Sequence, residues 1–80
     1  MRRIEQIKKV DFTNNAYEGE IAIIELDFED VHEMHEMART GEEVCFTSGS
    51  GEYAGEVVGT LAEPPELYLL RVRLSGGQSK

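Results

Sequence analysis

Apolar positions recur every second residue at several places in this chain and at helical spacing most clearly over residues 28–40. Ile21-Ala22-Ile23-Ile24 with Leu26 is close to a continuous apolar run, which predicts a strand buried on both faces. Asn14-Asn15 upstream supplies residues that tolerate positive φ, so the pattern predicts a hairpin joining Gln6–Phe12 to Tyr17–Leu26. Residues 4–10 read two ways. Val10 and Phe12 keep a strand period, whereas Ile4, Ile7 and Val10 are spaced by three, as in one helical turn.

Phe28 to Thr40 is predicted to be helical. Asp27 is placed to cap it, Glu29 and Asp30 sit in a first turn that favours negative charge, and Gly41 stands where a left-handed terminator is wanted. At about 100° per residue Phe28, Val31, Met34, His35 and Ala38 share a core-facing side, and Glu29, Glu33 and Glu36 share the opposite one.

Past Gly41 the period returns to two. Val44 and Phe46 alternate with Cys45 and Thr47, and Ser48-Gly49-Ser50-Gly51 turns the chain into a second strand. On that strand Tyr53, Val57 and Leu61 fall on one face with Gly51, Gly55 and Gly59 between them. Glycine weakens a strand, so this series predicts a bend, a bulge or the close approach of another backbone. Glu63-Pro64-Pro65-Glu66 interrupts the run, after which Tyr68, Leu70, Val72 and Leu74 face one way and Leu67, Leu69, Arg71 and Arg73 the other.

The resulting order, ββαβββ, predicts a small α+β roll in which a mostly antiparallel sheet curls around the helix. A β-grasp-like arrangement, with the first and last strands as central neighbours, is the first expectation. An SH3-like barrel with the helix as an insertion is the alternative. Eighty residues suffice for one core, giving a single domain over 1–74 and a flexible tail over 75–80.

Charge adds a polarity to this outline. The formal charge is −8, which disfavours a general binder of nucleic acid or anionic membrane. Met1–Val10 and Leu67–Lys80 are each net +3, and the segment between them is net −14. Glu29, Glu33 and Glu36, spaced by about 6 and 4.5 Å along a helix axis and extended by Glu42 and Glu43, could occupy a basic surface of a partner protein. The apolar and basic positions Leu67, Leu69, Arg71 and Arg73 form a second candidate, for self-association or a phosphate-bearing ligand.

Catalytic and metal motifs are weak by comparison. His32 and His35 are three apart, not the four of a helical zinc pair, and a set of His32, His35 with Asp30 or Cys45 depends on a register that sequence does not fix. His35 reads better as a partly buried, hydrogen-bonded member of the apolar stripe. Cys45, between Val44 and Phe46, reads as a structural thiol in a reducing compartment. The Ser48–Gly51 loop is followed by a strand, so it resembles a phosphate cradle in composition alone.

The expectation is therefore a soluble, cytoplasmic, non-enzymatic module without metal or cofactor. It would act as a regulator or inhibitor that shows an acidic helix to a basic protein partner, comparable in size and charge to short virus-encoded or mobile-element inhibitors. The alternatives are a small-ligand-binding homo-oligomer and a structural subunit of a larger, for instance viral, assembly. No direct nucleic-acid or membrane contact is expected.

Overall fold

A computed structural model describes residues 1–12, 19–27, 30–49 and 51–76. It contains strands β1 (Arg2–Arg3), β2 (Ile7–Phe12) and β3 (Ile21–Leu26), helix α1 (Val31–Thr40), and strands β4 (Glu43–Ser48), β5 (Gly51–Glu63) and β6 (Leu67–Gly76). The strands form one sheet in the order β1-β4-β5-β6-β3-β2. Among the described residues the β1–β4 pair alone is parallel; the others are antiparallel.

This order forces the sheet to curl. Six flat strands about 4.8 Å apart would hold β1 and β2 some 24 Å from each other, yet the four-residue step from Arg3 to Ile7 spans about 14 Å at most. The first eleven residues therefore reach from one edge to the other. The bend between them falls at Gln6, a non-glycine residue at φ 59°, and is held by the Asp27 N–H donating to the Gln6 carbonyl at 2.9 Å. Residues 4–10 thus resolve as extended chain around a corner, with Ile4 in the core. The fold is a small α+β roll that is nearly closed into a barrel. Its last strand lies between β5 and β3, and so is not beside the first, as the β-grasp-like expectation required.

Two irregularities in the β5–β6 pair sharpen the curl. Between Val57 and Gly59 an extra residue, Val58, is inserted in β5, and between Leu74 and Gly76 an extra residue, Ser75, is inserted in β6. Such bulges bend a strand and reverse its facing. Val57 is buried, but Leu61, four residues later, points to solvent at 45% exposure. The expected shared face of Tyr53, Val57 and Leu61 is broken at Val58. Gly55 serves the close approach predicted for the glycine series. A Cβ there would run into the Arg73 carbonyl oxygen and stand 2.7 Å from Val72 Cγ1.

The core is built from the inward positions of β3 (Ala22, Ile24, Leu26), β4 (Val44, Phe46), β5 (Val57) and β6 (Tyr68, Leu70, Val72, Leu74), closed by Met34 and Met37 of the helix. β3 alternates between fully and half-buried positions, so its outer face is less covered than the apolar run suggested. The helix begins later than expected. Asp30, not Asp27, is the cap, and its carboxylate accepts from the Glu33 N–H at 3.2 Å. Within the helix Met37 is buried and His35 is exposed, which corrects the placement of His35 in the apolar stripe. Gly41 ends the helix at φ 63° as predicted. Asn14, Asn15 and Tyr17 of the expected hairpin lie outside the described residues, as do Phe28, Glu29, Ser50 and 77–80. The strand paired with β5 runs on to Gly76, two residues into the segment expected to be tail.

Candidate functional site

Two surfaces were singled out in the sequence, and the fold treats them differently. On the helix side, β1 lies parallel to β4, which brings Arg2 beside the carboxylates that precede and follow the helix core. Its guanidinium meets Glu33 at 2.7 Å and Glu42 at 3.0 Å. Hydrogen bonding to Glu33 and then Glu42 raises the Arg2 pKa further above its ordinary value. One turn along, Glu36 receives two hydrogen bonds from Arg39, at 2.6 and 3.1 Å. Glu43 is exposed on the outward face of β4, opposite Glu56 in the register. Of the five predicted acidic contacts, then, Glu33, Glu36 and Glu42 are held by arginines of the same chain, Glu43 is not on the helix, and Glu29 lies outside the described residues.

A similar arrangement stands across β1, β4 and β5. Arg3 donates to Glu52 at 3.0 and 3.2 Å and also bonds Thr47 Oγ1, while its Nη1 is 3.9 Å from Cys45 Sγ. Hydrogen bonds from Arg3 and Thr47 draw the Glu52 carboxyl below its ordinary value of 4.5, and Arg39 does the same for Glu36. Both carboxyls have a lowered folded pKa, so what the pairs add to stability is present above the unfolded value and is lost as pH falls through the folded one. A carbon-detected NMR titration is expected to find Glu36 and Glu52 below 4.5 and the Arg39→Ala variant to restore Glu36 alone. Unshifted midpoints in the wild type would contradict the pairing.

The chemistry-bearing residues do not converge. His35 Nδ1 lies 3.1 Å from Thr60 Oγ1, His32 is exposed on the helix, and Cys45 is half-buried on β4. Among the described residues no group of three His, Cys, Asp or Glu side chains is placed to hold a metal ion. β4 passes to β5 through a tight connection with Gly49 at φ 61° and Ser48 paired to Gly51, the hairpin turn expected of that loop.

The second surface is the outer face of β5 and β6. The register places Glu63 opposite Leu67, Leu61 opposite Leu69, Gly59 opposite Arg71 and Glu56 opposite Arg73. β3 borders it, with Ile21 beside Arg73 and Ile23 beside Arg71. Leu67, Leu69, Ile21 and Ile23 are half-buried, and Arg71 and Arg73 are exposed. Gly59 makes room for its neighbour: a methyl group at its Cβ position would touch Arg71 Cδ and Nη1 at 3.5 Å, so the Arg71 side chain lies across the glycine. Among the described residues Arg2, Arg3 and Arg39 each hold a carboxylate, whereas Arg71 and Arg73 form no ion pair. Sequence reading found four members of this face and missed Leu61, whose outward turn depends on the bulge at Val58; Gly59 next to it was the only trace of that bulge in the sequence.

No protein-family model, curated protein or solved structure matches this chain. Among the described residues no helix is long and apolar enough to cross a membrane.

Proposed function

We propose that the chain is a non-catalytic protein-binding module whose contact surface is the outer face of β5 and β6. The observation that supports this reading is the pair of guanidiniums, Arg71 and Arg73, that form no ion pair among the described residues and stand beside the exposed Leu61 and half-buried Leu67 and Leu69. Interfaces favour apolar centres with arginine, because a guanidinium keeps five directed donors and is weakly hydrated. The acidic helix, the leading surface in the sequence, has less to offer, since Glu33, Glu36 and Glu42 would have to leave Arg2 and Arg39 to meet a partner. The complementary partner carries carboxylates flanking an apolar patch.

Immobilised protein incubated with extract of its native source tests the assignment. The wild type and a Glu33→Gln/Glu36→Gln variant are expected to retain the same captured protein, and Arg71→Glu/Arg73→Glu to lose it, since truncating a central interface arginine costs about 2 kcal/mol or more, roughly a 30-fold loss of affinity. Retention by the arginine variant with loss by the glutamine variant would move the contact to the helix. A melting shift with nucleotides at fixed salt that vanishes in the arginine variant would replace the protein partner with a phosphate-bearing ligand.

A further inference from the structure

We infer that the occupant of the β5–β6 face is a second copy of this chain, docked face to face about a two-fold axis that crosses the strands at the Leu61–Leu69 pair. The inference rests on the assignment of that face as a contact surface and adds the identity of the partner.

The argument comes from the order of residues along the hairpin. Starting at its turn, the outer face of the hairpin carries Glu63 and Leu67, then Leu61 and Leu69, then Arg71 over Gly59, then Arg73 beside Glu56, while Glu25 of β3, next to Leu69, is held by Lys8. From Glu63 to Arg71 the hairpin runs acid, apolar, base. A surface with that order is complementary to itself when one copy is reversed, and a two-fold interface requires such self-complementarity. An axis across the strands lays β5 on β5 and β6 on β6 in opposite directions. Leu61 and Leu69 then meet their own equivalents at the centre. Gly59 faces the second copy's Glu63, and because the Arg71 guanidinium lies across Gly59, the charge is already where that carboxylate arrives. Arg73, about 13 Å from Leu69 along its strand, comes to the level of the turn and the second copy's Glu66.

The other two-fold choice, an axis along the strands, fails on charge. It stacks Arg71 of each copy over Gly59 of the other and so brings the two guanidiniums together, and like charges in an interface are strongly unfavourable. The bulge at Val58 gains a purpose in the favoured arrangement. It turns Leu61 outward to the centre of the contact and puts a glycine, not a side chain, beneath Arg71. The area is that of one hairpin, at the low end of specific interfaces, so dissociation in the micromolar range is expected.

Sedimentation equilibrium of the full chain from about 1 to 500 µM tests this, with thermal melts to verify folding of each variant. The wild type should pass from 9.0 kDa to twice that mass as concentration rises. Leu69→Glu, Arg71→Glu and Glu63→Arg should each weaken association at least tenfold. The double variant Arg71→Glu/Glu63→Arg should recover most of it, because the exchanged charges face each other again across the axis. A wild type that stays monomeric at 500 µM overturns the self-pairing while leaving the face open to a different protein, which the capture experiment reads separately. Association that survives Leu69→Glu overturns the choice of face. A double variant as weak as the sum of its parts overturns the reversed alignment.

Discussion

Gly55→Ala is expected to lower the melting temperature by about 10 °C or more, and Gly59→Ala to change it by only a few degrees. Both glycines lie on β5 and differ by a single methyl group from their variants, so propensity alone would treat them alike. At Gly55 the new methyl meets the Arg73 carbonyl and Val72 Cγ1, beside the bulge at Ser75. Neither neighbour is the free end of a flexible chain, and the strand would have to shift. Overpacking of that kind costs about 1–3 kcal/mol, and in a domain of this size each kcal/mol moves the midpoint by about 4–8 °C. At Gly59 the methyl finds Arg71 side-chain atoms at 3.5 Å, which is ordinary contact, and the arginine is free to swing aside. Calorimetric melts of the two variants side by side decide the point; equal midpoints would mean that the two strands are not this close at Gly55.

Phe46→Ala is expected to bring the protein close to unfolding at room temperature. Phe46 is fully buried and stacks on Tyr53 at 5.5 Å between ring centroids, and Tyr53 packs in turn against Phe12 of β2 at 5.0 Å. These three rings link β4, β5 and β2, filling the interior across the gap where the sheet edges approach. Truncating such a ring costs about 3–5 kcal/mol, against a total stability of about 4–12 kcal/mol for a chain of this length. Urea denaturation should show the midpoint falling steeply, with Phe46→Leu between the variant and the wild type. A midpoint within about a tenth of the wild-type value would show that the ring is not a keystone of the core.

What the sequence disclosed was what local pattern controls. The alternation of Tyr68, Leu70, Val72 and Leu74 against Leu67, Leu69, Arg71 and Arg73 is the alternation found in β6, and Gly41 ended the helix where it was expected. What it withheld was set by partners distant in the chain. Arg2–Arg3 has no strand signature of its own and becomes one because Val44 and Cys45 lie alongside. That pairing, over some forty residues, is also what delivers Arg2 to Glu33 and Glu42, so the neutralisation of the acidic helix had no local signal. The same holds for Leu61. Its phase relative to Val57 depends on a single inserted residue, and an alternation rule carried through Val58 puts every later side chain on the wrong face. The helix phase failed for a smaller reason: counting Phe28 among the helical positions drew the estimated apolar centre towards His35, which lies beside it at about 100° per residue, and away from Met37.

The near-closure of the sheet also bears on how its edges would meet another chain. β1 pairs with β4 at Val44 and Cys45, and β2 takes the last place in the strand order, so among the described residues an edge strand stands on either side of the seam. Such a rim invites another chain to add as a strand, the first step towards fibrous aggregates. Lys8 and Lys9 on one side and the Arg3–Glu52 pair on the other stand along it. Any incoming strand would have to strip water from those charges before gaining its first hydrogen bond, which makes the basic start of the chain a guard against polymerisation.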